Sequence, residues 1–310
     1  MTTTSDALHI SSETSSLSVK LPPEHLANAS QLLSGWEHGS VPELEPLRAD
    51  LIRRGVLRPL AIPPAPAQSR QIEYWRAFTQ NALETVERLS NATIAVVGVG
   101  GIGSVVLQHL VGAGVANFRL LDSDTIDASN LNRQFIYDVE SIGTPKVVTA
   151  KRFVLQRAPN ARVSVLEEEW QPESAEQREF LFDGVDFVVA AIDKPTINAS
   201  IAVLDRAWRS GVDSILATTG LSKSLVTQVF APDLSLQSPR QAMHFVPRSA
   251  ESPFLASHGP TNTVPAAIAA DQALNHLGGL DSRVEYSRPL VILWSQDGTP
   301  ISTRVDRVRL

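Results

Sequence analysis

The chain of 310 residues contains no cysteine. Disulfide bonds, a cysteine-ligated zinc site and a cysteine nucleophile are therefore excluded. The sequence also lacks an apolar run long enough to span a bilayer, and its N-terminus lacks the basic start and apolar core of a signal peptide. We therefore expect a cytoplasmic protein that uses no zinc and has no membrane partner.

Charge is sparse and slightly negative. Charged residues make up 19% of the chain, hydrophobic residues make up 43%, and the formal net charge is -6. This composition is typical of a globular protein, and the negative charge disfavours nucleic acid as a partner. A chain of this length accommodates one large domain and one small domain.

The most informative stretch is residues 93–104, Thr-Ile-Ala-Val-Val-Gly-Val-Gly-Gly-Ile-Gly-Ser. A β-branched run followed by glycines and an apolar stretch of helical period predicts the strand, turn and helix of a nucleotide-binding unit. Gly98 would make the turn, Gly100 would let the backbone approach a phosphate, and Gly103 would let helix and strand pack closely. Gly101 lies in the same loop, which we expect to contact the nucleotide. The glycines alone leave open a tight turn without a ligand.

Charged residues follow the predicted strands at positions that suit a bound nucleotide. Asp122 ends the next strand about twenty residues after the last glycine, where a ribose-binding carboxylate belongs. The string Ser-Asn-Leu-Asn-Arg-Gln follows at 129–134, then Gly-Thr-Pro-Lys at 143–146, and Asp193 ends a later strand. This series, over roughly residues 90–231, resembles the ATP-dependent adenylating superfamily of the thiamin and molybdopterin sulfur-carrier activators and the ubiquitin-activating enzymes.

The resemblance implies adenylation, in which a carboxylate oxygen joins the α-phosphorus of ATP and pyrophosphate leaves. Asp122 would accept hydrogen bonds from the ribose hydroxyls, and Asp193 would ligate Mg²⁺. The residues expected to face the phosphates are Asn130, Arg133 and Lys146, with Gln134 as a supporting contact.

Taken one at a time, these residues have simpler explanations. Arg133 or Lys146 alone would be a surface ion-pair partner, and Asp193 alone would be a helix cap. Their joint occurrence at strand ends favours a ligand site. Asp124 and Asp127 are expected to be turn residues. The acidic run at 167–169 is expected to be only a polar entry to a loop.

The superfamily also implies a second subunit. Its members commonly carry a paired-cysteine zinc site, and many transfer the acyl group to a cysteine; neither is possible here. In the superfamily, a helix before the nucleotide-binding strand carries an arginine that reaches the partner subunit's ATP phosphates. Arg70 fits this signature best and Arg76 is the second candidate, so a homodimer is expected. A solvent-exposed helix arginine is the alternative for both.

Residues 1–62 are expected to form a separate domain. Two alternating stretches predict a hairpin, and helical spacing follows at 22–33 and 40–55. A Pro-rich segment at 61–68 marks the boundary with the ATP-binding domain at 63–310. The order is similar to the small winged-helix-like α+β domains that bind leader peptides in enzymes modifying ribosomally made peptides. A structural cap on the large domain is the alternative.

The large domain alternates strands with helices. This alternation predicts an α/β fold with a doubly wound, mostly parallel, Rossmann-like sheet. Further predicted elements are a helix at 71–89, a strand at 214–219, an irregular crossover at 231–265, a helix at 266–277, and strands at 290–294 and 302–308.

Three functions follow from these observations. The first, which the two resemblances imply, is ATP-dependent adenylation, or phosphoryl activation, of a carboxylate or amide in a ribosomally made peptide; in this respect the chain resembles the microcin-type and pantocin-type enzymes of antibiotic or bacteriocin maturation. The second is a non-catalytic partner that binds a leader peptide, which the presence of Arg133 and Asp193 disfavours. The third is an NAD-dependent oxidoreductase, for which the glycine turn and Asp122 suffice.

Overall fold

A computed structural model describes residues 2–3, 7–11, 16–20, 45–54, 66–193, 196–244, 257–294 and 305–307. The chain divides into two compact units, Met1–Ile62 and Pro63–Leu310.

The first unit contains a small antiparallel sheet. Its strands are β1 (Thr2–Thr3), β2 (Ala7–Ser11) and β3 (Ser16–Lys20), paired in the order β1-β2-β3. Leu8 lies opposite Val19, and this register confirms the predicted hairpin. The helix predicted at 22–33 lies outside the described residues, and the winged-helix-like assignment stays a prediction.

Helix α1 (Glu45–Arg53) follows in the same unit. Its Asp50 carboxylate pairs with Arg53 and, at 2.6 Å, with Arg54. The hydrogen bond from Arg53 lowers the pKa of Asp50, and burial opposes this shift. These pairs link residues three and four apart, which lie next to each other on a helix surface.

The second unit is built on one sheet. Its described strands are β4 (Thr93–Val97), β5 (Asn117–Leu121), β6 (Arg162–Leu166), β7 (Phe187–Ala190), β8 (Asp213–Thr219), β9 (Lys223–Val226), β10 (Leu290–Leu293) and β11 (Val305–Arg307). They lie in the order β11-β10-β9-β8-β7-β4-β5-β6. The strands from β8 to β6 run parallel, whereas β9, β10 and β11 extend the sheet antiparallel.

Helices alternate with these strands. They are α2 (Ser69–Arg76), α3 (Ala82–Asn91), α4 (Gly103–Gly112), α5 (Lys146–Arg157), α6 (Ala175–Phe182), α7 (Ile197–Arg209), α8 (Pro239–Ala242) and α9 (Gly259–Leu277). Short polar side chains begin two of them: Ser174 accepts from the first turn of α6, and Thr196 does the same for α7. No described helix has both the length and the apolar character to cross a membrane.

Strand β4 lies between two cores. Ile94 and Val96 pack in one cluster with α4, α5 and α9, whereas Ala95 and Val97 pack in another with α6 and α7. All four side chains are fully buried. Because successive side chains of a strand point to opposite faces, helices cover both faces of the sheet. This confirms the predicted doubly wound α/β fold.

The helix predicted at 71–89 is interrupted. Helices α2 and α3 are separated by a turn, in which the Thr79 hydroxyl accepts a hydrogen bond from the Asn81 N–H at 3.1 Å. The Arg283 guanidinium lies 3.7 Å over the Phe78 ring in the same turn. A local side-chain bond and a contact distant in sequence therefore override the helical periodicity.

Two other boundaries differ from prediction. Helix α9 begins at Gly259 rather than at residue 266, because Pro260 lies in its first turn, where proline is tolerated. Strand β9 was not predicted, since only three residues separate its start from the end of β8. The strands predicted near 290 and 302 are confirmed as the antiparallel pair β10 and β11.

Candidate active site

A cleft opens at the edge of the sheet where the parallel strands end. Its volume is about 320 Å³. It is lined by Gly98, Gly100, Leu121, Asp122, Ser123, Asp124, Lys146, Glu168, Glu169, Trp170, Ala191, Ile192 and Asp193. Ligands of open α/β sheets bind at this edge, so the cleft lies where the sequence predicted a site.

The glycine loop after β4 is sterically constrained. Gly98 has φ of +89°, and a Cβ there would lie 2.6 Å from the Ala191 carbonyl oxygen. A Cβ at Gly103 would lie 1.8 Å from the Gly98 carbonyl oxygen, so helix α4 could not start this close to the turn. Gly101 lies against Asn262 of α9, and Gly100 opens onto the cleft. The predicted turn and close packing are both present.

Asp122 is held by the backbone around it. One carboxylate oxygen accepts from the Val99 N–H and the other from the Asp124 N–H, each at 2.8 Å. Asp122 is 9% exposed, and this burial raises its pKa, while nearby Lys146 and the two N–H donors oppose the rise. The carboxylate is therefore fixed at the cleft surface before any ligand binds.

Lys146 supplies a buried cation beside this carboxylate. Its ammonium donates to Asp124 at 2.8 Å, and the Lys146 side chain is only 7% exposed. The Tyr137 hydroxyl donates to the Val99 carbonyl at 2.7 Å and to the Lys146 carbonyl at 3.4 Å. Burial raises the pKa of Tyr137, so the hydroxyl stays a donor. This tyrosine links the glycine loop to the first turn of α5.

The predicted phosphate-facing residues of the 129–134 string lie beside the cleft and do not line it. The Asn130 amide oxygen caps its own short 3₁₀ turn by accepting from the Asp127 N–H at 3.0 Å. The Arg133 guanidinium donates to the Ser129 carbonyl at 2.7 Å and to the Asn132 side chain at 2.8 Å.

Gln134, the last residue of that string, is 2% exposed and lies next to the glycine loop. Its amide nitrogen lies 3.9 Å from the position that a Cβ on Gly100 would take. Its amide oxygen has no hydrogen-bond partner among the described residues. A buried acceptor of this kind fits a ligand or water that completes its bonding.

Asp193 follows β7 and lines the cleft with an exposed side chain. No described residue donates a hydrogen bond to its carboxylate. Within the described part of the chain, no group of three or more His, Asp or Glu side chains is arranged to hold a metal. A single open carboxylate nevertheless fits Mg²⁺, which takes one or two carboxylates together with phosphate oxygens.

The two candidate arginines of α2 differ in their surroundings. The Arg70 side chain is exposed and forms no ion pair with any described residue. Arg76 is 13% exposed and pairs with Glu73 of its own helix at 2.5 Å. Arg70 is therefore the more accessible of these two side chains.

The sequence prediction missed one wall of the cleft. The β6 loop (residues 167–171) contributes Glu168, Glu169 and Trp170, although its acidic run had been predicted to be only a polar loop entry. Asp124, predicted to be a turn residue, also lines the cleft and is the partner of Lys146. Their positions in the sequence could have indicated a role in the cleft, because both segments directly follow parallel strands.

Comparison with known proteins identifies the architecture. The structure is similar to the crystal structure of PaaA, with a TM-score of 0.72, 21% identity, and coverage of 94% of this chain and 96% of that one. It is also similar to Escherichia coli MccB crystallised with AMPCPP and MccA, with a TM-score of 0.67, 21% identity, and coverage of 82% and 77%. At these identities the likeness shows the fold.

The alignments with sequence relatives cover only part of each relative's length. The chain is 29% identical over 189 residues to tRNA threonylcarbamoyladenosine dehydratase 2 of Saccharomyces cerevisiae, which is 61% of this chain and 41% of the relative. It is 42% identical over 80 residues to the sulfur carrier protein adenylyltransferase of Thermus thermophilus, which is 26% of this chain and 30% of the relative. The chain thus spans less than two thirds of these relatives.

The family assignment rests on a longer match. Residues 68–297 match the ThiF family, and this segment contains the cleft and every strand from β4 to β10. The chain therefore belongs to the ThiF family.

Proposed function

We propose that this protein is an ATP-dependent adenylyltransferase that activates a carboxylate or amide of a ribosomally made peptide. The main support for this proposal is a single cleft at the carboxyl edge of the sheet. It is lined by the glycine loop, Asp122, Lys146 and Asp193. A dehydrogenase needs the first two groups, whereas a triphosphate also needs a cation and a metal ligand.

Each residue has a role in this reaction. Asp122 accepts from the ribose hydroxyls, and the Gly98–Gly103 turn lets the phosphates approach the backbone and the start of α4. Lys146 stabilises charge on the phosphates, and its pairing with Asp124 at 2.8 Å keeps its ammonium at the cleft. Asp193 would hold Mg²⁺, which would neutralise phosphate charge when bound.

The adenylation step needs no reactant besides ATP and the substrate. A carboxylate oxygen of the substrate forms a bond to the α-phosphorus, the bond from that phosphorus to the pyrophosphate oxygen breaks, and pyrophosphate leaves with the electron pair. The chain has no cysteine to accept the acyl group. The acyl adenylate therefore passes directly to another nucleophile, with release of AMP.

The proposed substrate is a leader-bearing peptide. The likeness to PaaA extends over 94% of this chain, beyond the family segment that begins at residue 68, and MccB has been crystallised with both AMPCPP and MccA. These likenesses support a role for residues 1–62 in holding the peptide while residues 63–310 activate it, in the maturation of an antibiotic or bacteriocin.

The proposal includes a homodimer in which Arg70 of each subunit serves the other subunit's site. Its exposed side chain on α2 supports this role. Arg133 and Gln134 are proposed to complete the phosphate contacts on substrate binding, since both already lie beside the glycine loop.

An RNA-directed dehydratase is the second candidate. The similarity over 189 residues to the yeast tRNA dehydratase favours it, whereas the net charge of -6 weakens binding to a polyanion.

The test is ATP–pyrophosphate exchange, screened with synthetic peptides encoded beside the gene and with bulk tRNA. We expect exchange with one peptide and none with tRNA. Exchange with tRNA alone would support the second candidate. Absence of exchange with every peptide, together with peptide binding, would favour a non-catalytic leader-binding role. Reduction of NAD⁺ would indicate an oxidoreductase.

A further inference from the structure

The β6 loop is held against the cleft by one buried amide. Gln177 of α6 is fully buried, and its side-chain oxygen accepts from the Gln171 N–H at 2.8 Å. Its side-chain nitrogen donates to the Glu168 carboxylate at 2.8 Å and to the Glu169 carbonyl at 2.9 Å. One side chain thus fixes three points of a five-residue loop.

Only an amide can make this set of bonds. It offers one acceptor and two donors, whereas a carboxylate of the same shape offers acceptors alone and an aliphatic side chain offers neither. The Gln177 backbone is fixed as well, because its N–H donates to the Ser174 hydroxyl at 3.2 Å. The loop therefore stays in place without a ligand.

The loop also has an apolar anchor. Trp170 is 8% exposed and packs edge-to-face on Phe182 of α6, with ring centroids 6.2 Å apart. Helix α6 thus holds the loop by both a polar and an aromatic contact, and the part of Trp170 that remains accessible lines the cleft.

The sheet order decides which part of a ligand meets this loop. At the cleft edge the strands follow as β7, β4, β5 and β6, carrying in turn Asp193, the glycine loop, Asp122 and the β6 loop. A nucleotide with phosphates at the glycine loop and ribose at Asp122 must extend its base towards the β6 loop. This step rests on the proposed function.

We propose that Gln177 is a positioning residue for recognition of the nucleoside end of ATP. It holds the β6 loop as a preformed wall against the base, and it has no part in holding the phosphates. Its loss should weaken binding of a nucleotide but leave binding of a bare polyphosphate unchanged.

The experiment compares two probes on the full-length protein. Dissociation constants for AMPCPP and for inorganic tripolyphosphate are measured by calorimetry with wild type and Gln177→Glu. In the variant, the introduced carboxylate cannot donate the two hydrogen bonds that Gln177 donates to Glu168 and Glu169. It also lies next to the Glu168 carboxylate, and the two like charges repel each other. We expect AMPCPP to bind about tenfold more weakly, with tripolyphosphate binding unchanged.

Two further variants sharpen the result. The double change Glu168→Gln with Gln177→Glu restores an amide–carboxylate pair and should recover much of the AMPCPP affinity. The control Gln156→Glu adds the same charge at an exposed position of α5 and should change neither constant. If Gln177→Glu does not fold, Glu168→Ala, at an exposed position, should still weaken AMPCPP about threefold by removing one of the three bonds.

The outcomes separate this inference from the function on which it rests. Equal affinity of Gln177→Glu and wild type for AMPCPP would overturn the positioning role while leaving adenylation in place. Equal weakening of both probes would do the same, because it would mean general loosening of the cleft. Failure of the wild type to bind AMPCPP would overturn the proposed function and this inference together.

Discussion

The two ends of the cleft are built differently. At one end, Asp122 accepts from two backbone N–H groups, Lys146 is buried against Asp124, and the β6 loop is fixed by Gln177. At the other end, the exposed carboxylate of Asp193 accepts from no described residue. At the first end, contacts within the protein already hold the side chains in place. At the second end, the Asp193 carboxylate is free to bind a ligand.

We infer that the fixed end of the cleft recognises the ligand and that the open end takes part in the reaction. Groups fixed before binding lose no further conformational freedom when a ligand arrives, so they favour affinity and specificity. An open carboxylate suits a metal that arrives with its phosphates. Changes at the open end should therefore reduce turnover while stability stays unchanged, and changes at the fixed end should alter stability or affinity.

The largest effect is expected from Asp193→Asn. Removal of the proposed metal ligand should lower peptide-dependent pyrophosphate release by about ten-thousandfold, since metal stabilisation of phosphate charge is worth several kcal/mol. The melting temperature should stay within about a degree, because the side chain is exposed and has no described partner. The matched control is Asp183→Asn, an exposed residue before the same strand, which should change neither quantity. Near-normal release by Asp193→Asn would remove this residue from the mechanism.

Arg70→Ala should also abolish turnover, by about a thousandfold if the arginine acts across subunits as an arginine finger does. Arg178→Ala, an exposed position on α6, is the control. Mixing inactive Arg70→Ala with inactive Asp193→Asn protein should restore about a quarter of wild-type activity, because half of the exchanged dimers contain one intact site. No recovery after demonstrated subunit exchange would show that Arg70 does not act in trans.

At the fixed end, Gly103→Ala should lower the free energy of unfolding by about 1–3 kcal/mol, because its Cβ would meet the Gly98 carbonyl oxygen. Gly112→Ala is the matched change at the other end of α4, where a Cβ meets no atom within 4 Å. It should raise the free energy of unfolding by about 0.5–1 kcal/mol. Urea denaturation of both variants measures the change in the free energy of unfolding. Equal changes at the two glycines would contradict this prediction.

The sequence predicted the parts of the site that a motif encodes locally. Gly98, Gly103, Asp122 and Asp193 all have the expected positions, because strand, turn and strand-end spacing determine where they lie. The β6 loop carries no such spacing. It becomes a wall of the cleft only because β6 pairs with β5 and because Gln177, distant from the glycines in sequence, fixes it.

Side-chain direction was beyond prediction for the same reason. Arg133 belongs to a specific string, yet its guanidinium lies on the Ser129 carbonyl and the Asn132 side chain. The break between α2 and α3 likewise depends on Arg283, whose position follows from tertiary packing. Local patterns predict elements and their ends, whereas contacts between distant segments decide where side chains point.

The smallest expected effect is a pH dependence at Asp122. Its raised pKa means that the folded state keeps this proton to higher pH than the unfolded state, so the residue's contribution to stability falls as pH rises from 3.8 towards the folded pKa. As pH falls through the folded pKa, the carboxyl loses part of its capacity to accept from a ribose. The AMPCPP affinity, relative to tripolyphosphate, should then weaken about twofold. Asp122→Asn should show no such step, and an identical pH profile in both proteins would contradict the assignment.

In the proposed function, the cleft binds ATP with its phosphates and Mg²⁺ towards Asp193. Calorimetric titration of the wild-type protein with AMPCPP, with and without Mg²⁺, and with NAD⁺ tests it most directly. We expect AMPCPP to bind, Mg²⁺ to strengthen this binding in wild type and not in Asp193→Asn, and NAD⁺ not to compete. Tighter binding of NAD⁺ than of AMPCPP, or AMPCPP binding whose Mg²⁺ dependence survives in Asp193→Asn, would contradict it.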